Sequence, residues 1–188
     1  MPCRVGFKRV HLLAVLALAA CATPQLADFE ATLAADPSAT AALGQWCARQ
    51  QIANPARISA APVASPAATA PPPADIRHVL NLPADQAPGY RHVRLSCGSM
   101  ILSEAHNWYA PARLTPAMNA ALASTDTPFG KVAAPLGFTR ERLSSQHGRG
   151  SGCPAGTILT HRALLRLPAG QPLALVVECY TQANLHPR

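Results

Sequence analysis

The sequence predicts a single α+β domain built from antiparallel strand pairs, with helices outside them. Apolar residues recur at helical spacing between residues 25 and 47, whereas from residue 90 onward apolar and polar residues alternate, as in half-buried strands. Two pairs of strand-like segments are each joined by a short turn, which is typical of hairpins. Helices grouped outside such hairpins indicate the α+β class.

The first two helices are predicted close to the N-terminus of the domain. Residues 25–33 place Leu26, Phe29 and Leu33 on one helical face. Ser38 can cap a second helix, because its hydroxyl can accept a hydrogen bond from a free backbone N–H group. The apolar residues of this second helix at helical spacing are Ala39, Ala42, Leu43, Trp46 and Cys47.

The rest of the chain contains six predicted strands and two shorter helices. The strands are 55–60, 90–97, 100–109, 138–143, 157–167 and 172–181. The helices are a piece around 76–82 and a segment that starts at Thr115 and Pro116. Residues 144–156 are predicted to form a loop, and the Pro/Ala-rich residues 62–74 a mobile surface connection inside the domain.

The N-terminus has the features of an export signal. Residues 1–20 combine three basic residues with a short apolar run, which is too short to span a bilayer. The following "LAAC" is similar to the lipobox of bacterial lipoproteins. This similarity implies lipidation of Cys21, a lipidated N-terminus at 21–24 and a domain at 25–188, and Ala22 resembles the sorting pattern for the outer membrane. The alternative is an ordinary cleaved signal peptide with an incidental cysteine.

The net charge and the cysteine content limit the binding partners, disulfides and metal sites that the sequence predicts. Without residues 1–20 the formal charge falls from +7 to +4, and no run of basic residues is interleaved with aromatic ones, so nucleic acid is not an expected partner. Four cysteines remain besides Cys21: Cys47, Cys97, Cys153 and Cys179. They permit two disulfides in three pairings in an oxidising compartment, or stay reduced as small buried hydrophobes. Their spacing, and that of the histidines, predicts no metal site.

Two charged residues occupy positions where apolar residues are expected. Arg91 shares a strand face with Val93 and Leu95, and Glu178 lies near the end of the apolar segment "PLALVVECYT". A guanidinium on an apolar face is suited to hold a carboxylate ligand. The alternatives are that Arg91 extends to solvent from the strand start, and that Glu178 forms a structural salt bridge.

Other polar and aromatic groups are interpreted as structural. The segment "NWYAP" is assigned to core and hairpin packing. The remaining basic cluster is interpreted as a solvated rim, with a phosphate site as the alternative: Arg140, Arg142, His147 and Arg149.

From about residue 38 to residue 180 the sequence resembles the chorismate lyase family. The matching motifs follow in order: "SAT", an Arg-bearing strand, "GSMILSEAHNWYAP", "LTPAMNAAL", "TDTPFG" and "HRALLRLPAGQPLALVVECY". The resemblance implies a six-stranded antiparallel sheet flanked by helices, with an internal ligand pocket. It also implies removal of pyruvate from chorismate to leave 4-hydroxybenzoate, a step of ubiquinone biosynthesis, without metal or organic cofactor.

The resemblance further implies site residues. The family's carboxylate-binding arginine falls on Arg91 by strand parity, although ungapped counting gives His92. Its glutamate falls on Glu178, which as a neutral acid in an apolar pocket would donate a hydrogen bond to the departing oxygen. Backbone contacts to the ligand fall on three further residues: Ala39, Phe129 and Gly130.

An export signal does not fit a cytoplasmic substrate, so three functions stay open. The first is a lyase acting on chorismate or a related cyclohexadienyl acid. The second is a monomeric, membrane-anchored lipoprotein of the outer membrane or periplasm, which binds a small aromatic acid without turnover. The third is a structural envelope protein with a closed pocket. The same fold also resembles the effector-binding domain of bacterial transcription regulators, so fold alone does not decide.

Overall fold

The structure is a computed structural model, and it describes residues 24–63 and 73–185. The predicted signal peptide, the lipidation site Cys21 and residues 64–72 of the Pro/Ala-rich connection lie outside the described residues. None of the helices within the described ranges combines the length and the apolar character needed to cross a membrane.

Six strands form one fully antiparallel sheet. They are β1 (Ile58–Pro62), β2 (Gly89–Cys97), β3 (Met100–Tyr109), β4 (Thr139–His147), β5 (Thr157–Arg166) and β6 (Pro172–Thr181). Their order across the sheet is β1-β2-β3-β6-β5-β4. The β2–β3 and β5–β6 hairpins therefore lie side by side, with β3 and β6 at the centre. This confirms the predicted α+β class with an antiparallel sheet of about six strands.

Within the described residues, five α-helices flank the sheet. They are α1 (Pro24–Ala34), α2 (Ala39–Arg49), α3 (Ile76–Val79), α4 (Pro116–Ser124) and α5 (Phe129–Ala133). The side chains of Ser38 and Thr115 accept hydrogen bonds from backbone N–H groups in the first turns of α2 and α4. The predicted capping role of Ser38 is thus confirmed.

The two faces of the sheet are covered differently. On one face, Phe29 of α1 packs against Trp46 of α2 and against Tyr180 of β6, with ring centroids 5.1 and 5.2 Å apart. The short helix α3 covers part of the opposite face, where Leu80 and Trp108 belong to one buried apolar cluster. The helices α1, α2, α4 and α5 thus form a layer over a single face, and Arg91 and Glu178 point into that layer.

The edge strand β4 differs from its prediction. It runs to His147, whereas the sequence predicts a strand at 138–143 and a loop from residue 144. Nearly all of its residues are exposed, so no apolar alternation marks it as a strand. Its backbone pairs with β5 across a register shift between Arg142 and Ser144. Backbone pairing, not burial, therefore sets its length.

Two disulfides connect elements that are distant in sequence. Cys47 of α2 is bonded to Cys97 of β2, and Cys153 of the β4–β5 connection is bonded to Cys179 of β6. The first holds the helical layer to the sheet. The second holds the connection against the opposite face.

Candidate functional site: a buried ion pair between the sheet and two helices

Glu178 lies in the centre of the sheet and is paired with a cation. It stands opposite Ala105 of β3 and His161 of β5, and its side chain is buried. Its Oε2 atom accepts hydrogen bonds from Arg140 Nη2 and from the Tyr180 hydroxyl, the latter at 3.0 Å. Residues 178 and 180 of one strand face the same side, which places the tyrosine beside the carboxylate.

The cation is Arg140, which lies two strands away. Its long side chain starts on β4, reaches across β5 and is only 5% exposed. Burial by itself would lower the pKa of Arg140, but the charge and hydrogen bond of Glu178 together with Tyr180 outweigh this effect and raise the pKa. The interpretation of Arg140 as part of a solvated rim is therefore wrong, because a side chain on an edge strand can still point under the helical layer.

His161 belongs to the same buried cluster as a neutral group. Burial and the nearby Arg140 and Arg142 lower the pKa of His161 to about 3. Arg140 Nη2 lies 3.3 Å from His161 Nδ1 and donates to it, so the imidazole proton is assigned to Nε2. This buried Nε2 has no hydrogen-bond partner among the described residues.

Arg91 is buried on the same face but contacts a different segment. Its two terminal nitrogens each donate, over 2.8 Å, to the carbonyls of Thr125 and Thr127 between α4 and α5. Burial lowers the pKa of Arg91, against the opposing influence of Tyr109 and Asp126. The guanidinium thus holds the α4–α5 connection against β2. Its role as the carboxylate-binding cation stays a prediction.

A small cavity lies above the ion pair. It measures about 40 Å³ and is bounded by three residues predicted from the sequence, Ala39, Phe129 and Gly130, together with Glu178. Arg140 and Asn107 also line it. The fold therefore brings the predicted ligand-site residues other than Arg91 together around one cavity.

Asn107 is the polar residue of this cavity that sequence reasoning missed. It is 6% exposed, and it is a polar residue on the wall of the cavity. It stands directly opposite Arg91 in the β2–β3 hairpin. Hairpin parity, which places residues 91 and 107 on one face, was the available signal for it.

A wider groove adjoins the cavity at the surface. It has a volume of about 650 Å³ and shares five lining residues with the cavity, which are Pro37, Ser38, Thr40, Gly130 and Phe138. A Cβ atom at position 130 would lie 2.7 Å from Ser38 Oγ, so α5 approaches α2 this closely because residue 130 is glycine. Lys131 and Arg57 line the groove, which contains no acidic lining residue.

A group able to hold a metal ion lies on the opposite face of the sheet. Within residues 24–63 and 73–185, a single set of three or more His, Cys, Asp or Glu side chains brings its ligand atoms within 4.8 Å of one another. It consists of His92, Glu104 and His106. This set is separate from the cavity at Glu178, because residues 92, 104 and 106 point away from the helical layer.

A comparison with known protein sequences finds a relative of this chain. "Uncharacterized protein y4mC" of Sinorhizobium fredii is 37% identical over 175 residues, which cover 83% of this chain and 73% of that protein. No protein-family model matches the chain.

The solved structures that resemble this chain match only part of its length. The ligand-binding domain of a putative GntR-family transcriptional regulator from Bordetella bronchiseptica has 16% identity and a TM-score of 0.43, over 58% of this chain and 78% of that chain. The possible transcriptional regulator YydK from Bacillus subtilis has 14% identity and a TM-score of 0.44. That match covers 68% of this chain and 58% of the regulator.

Proposed function

The chain belongs to the family of the uncharacterized protein y4mC of Sinorhizobium fredii, and we propose that it binds a small carboxylic acid between the sheet and helices α2 and α5. The observation that carries the proposal is a pair of unpaired donors at the buried ion pair. Arg140 Nε and His161 Nε2 are buried without a hydrogen-bond partner among the described residues, and Arg140 lines the cavity together with Asn107. A carboxylate ligand would supply acceptors for both groups.

The charge around the site favours an anionic ligand. Glu178 offsets the charge of Arg140, and Arg57 of the adjoining groove forms an exposed ion pair with Asp126 at 3.7 Å, but Lys131 has no acidic counterpart among the lining residues. Incoming acids would therefore meet a positive potential at the surface. Inside the cavity, a ligand carboxylate would lie against Arg140 rather than compete for Arg91.

The volumes of the cavity and of the groove indicate which part of a ligand each of them can hold. A cavity of about 40 Å³ has room for a group the size of a carboxylate, whereas the groove of about 650 Å³ lies in the range of small-molecule sites. Phe138 and Ile58 give the groove an apolar wall. This arrangement supports a ligand with one carboxylate and an apolar ring, such as an aromatic or cyclohexadienyl acid.

Calorimetry with 4-hydroxybenzoate and 4-hydroxybenzyl alcohol tests the proposal. The two compounds differ in the carboxylate, so we expect the alcohol to bind about tenfold more weakly or worse. Asn107→Leu should weaken binding of the acid without leaving a buried charge. Asn119→Leu on α4, outside the cavity, serves as the matched control. Equal affinities for acid and alcohol would rule out carboxylate recognition.

Cleavage of chorismate is a second candidate, supported by the convergence of Ala39, Phe129, Gly130 and Glu178 on one cavity. The contacts of Glu178 disfavour it as the acid. Its carboxylate accepts from Arg140 and Tyr180, and an ionised carboxylate accepts hydrogen bonds but cannot donate one. We expect no pyruvate when the protein is incubated with chorismate. Pyruvate release that is lost in Glu178→Gln would instead establish the lyase.

The proposed place of binding is the cell envelope. The charged N-terminus, the apolar run and "LAAC" support export and lipidation at Cys21, with the domain facing the periplasm. Mass spectrometry of the mature protein should find an acylated Cys21, and Cys21→Ser should block processing or release the protein from membranes. A mature N-terminus at a later, unmodified residue would contradict the anchor.

A further inference from the structure

The β2–β3 hairpin carries a histidine pair on the face opposite the cavity. His92 and His106 are direct cross-strand partners, and their rings are stacked with centroids 4.0 Å apart. Glu104 precedes His106 by two residues and so shares its side of the strand. Both histidines are buried, and all three side chains line a cavity of about 780 Å³. Residues 92, 104 and 106 are scattered in the sequence, but the hairpin brings their side chains together.

The hydrogen bonds fix where the protons of this cluster lie. His92 Nε2 contacts Glu104 Oε1 at 2.8 Å, and His106 Nε2 contacts the carbonyl oxygen of Gly152 at 3.1 Å. A carboxylate and a carbonyl only accept hydrogen bonds, so each Nε2 carries a proton. The Tyr90 hydroxyl lies 2.8 Å from His106 Nδ1 and donates to it. Two N–H groups therefore point at two oxygen acceptors in one small volume.

We infer that a divalent transition-metal ion of the zinc class binds here in place of these two protons. Its ligands are His92 Nε2, His106 Nε2 and Glu104 Oε1, with the Gly152 carbonyl within reach as a fourth. Zinc bonds of about 2.0–2.2 Å to nitrogen and oxygen imply ligand atoms roughly 3.3 Å apart in a tetrahedron. The N···O contacts of 2.8 and 3.1 Å are already close to this separation.

Closing the site requires one movement. The imidazole planes are 18° from parallel, so the rings must tilt apart before both lone pairs point at one ion. The adjoining cavity of about 780 Å³ gives the rings room on one side. If the Gly152 carbonyl does not bind, the same cavity leaves the fourth position of the ion open to water or to a ligand, as in sites with three protein ligands.

The surrounding groups are placed to orient the ligands. When His106 binds the ion through Nε2, its Nδ1 takes the proton and donates to the Tyr90 oxygen. Arg94 Nε donates to Glu104 Oε2 at 3.1 Å, which leaves Oε1 for the ion. The Cys153–Cys179 disulfide holds the segment next to Gly152 against β6. Imidazole with carboxylate favours zinc, copper, nickel or iron over calcium and magnesium.

Titration calorimetry with Zn²⁺ on the purified full-length chain, made without a histidine tag, tests the site. We expect one equivalent to bind, and we expect Glu104→Gln and His106→Gln each to weaken binding by about 10- to 100-fold or more. His147→Gln is the matched control, because His147 forms an exposed pair with Glu30 at 3.1 Å. No binding by the wild-type chain, or a loss in His147→Gln with none in the other two variants, would overturn the inference.

Cobalt spectra keep the test decisive if a variant fails to fold. Co²⁺ bound by the wild-type chain at this site should show visible absorption well above that of aqueous Co²⁺, and added Zn²⁺ should abolish it. A spectrum equal to that of the free ion would mean that the cluster is a hydrogen-bonded network only. Tyr90→Phe should retain the absorption while the affinity for Zn²⁺ falls by about 10- to 100-fold.

Discussion

Arg140 of β4 reaches across β5 and pairs with Glu178 of β6, and both side chains are less than a tenth exposed. A pair of this kind is weak evidence for stability, because removing two charges from water costs about as much as their attraction returns. Removing one partner alone is different, since the other charge then stays buried without compensation.

We therefore expect strong coupling between the two positions. Arg140→Met alone should lower the free energy of unfolding by about 3–5 kcal/mol, whereas the double variant with Glu178→Met should be close to wild type or more stable. Urea unfolding of the four proteins measures this. The exposed pair Arg166–Glu141 is the control, and its replacement should change stability by at most about 1 kcal/mol. Additive losses in the double variant would contradict the coupling.

Ligand binding distinguishes the two buried arginines. Arg91→Met should cost about 1–3 kcal/mol of stability, because the carbonyls of Thr125 and Thr127 lose their donors, but it should leave the affinity for 4-hydroxybenzoate nearly unchanged. The double Arg140/Glu178 variant should lose that affinity while staying folded. The opposite pattern, measured by calorimetry, would assign carboxylate binding to Arg91, as the resemblance to chorismate lyase implies.

The disulfides should contribute measurably to stability. Cys47–Cys97 and Cys153–Cys179 connect residues 50 and 26 positions apart, and closing such loops stabilises by about 2–4 kcal/mol each. Urea unfolding with and without reductant should show the loss. Thiol counting on the denatured, unreduced protein should find none of these four sulfurs free. Four reactive thiols in exported material would rule out both bonds.

Stability should fall in mild acid because of His161. Its folded pKa of about 3 lies below the ordinary histidine value, so the unfolded chain binds a proton that the folded chain does not. The favourable effect of neutral His161 on the free energy of unfolding is fully present above about pH 6.5. This effect decreases as the pH falls towards 3, by up to about 1.4 kcal/mol per pH unit. His161→Gln should remove this part of the pH dependence of urea unfolding. An NMR titration with an ordinary pKa would contradict the assignment.

Local sequence signals predicted most of the fold. Leu26, Phe29 and Leu33 mark α1 by spacing, and Ser38 marks the start of α2. These signals lie within a few residues of one another, as helix caps and apolar stripes do. The exposed strand β4 lacks such a signal, because no alternation accompanies a strand whose residues are nearly all solvated.

The candidate site was only partly predictable for a related reason. Glu178 and Arg91 stand out because each is a charge on an apolar strand face. The partner of Glu178 is 38 residues away, and only the register of β4, β5 and β6 reveals it. The same applies to His92 and His106, whose contact depends on the pairing of one hairpin.

The position of Arg140 on an edge strand has a dynamic consequence. β4 is hydrogen-bonded to a neighbour on one side only, so among the strands that line the cavity it is the one whose backbone opens at the lowest free-energy cost. The ion pair ties this peripheral strand to the central strand β6. Local opening of β4 therefore carries the cavity's cation away from Glu178 while the centre of the sheet stays intact. Amide hydrogen exchange along β4 consequently reports on access to the cavity.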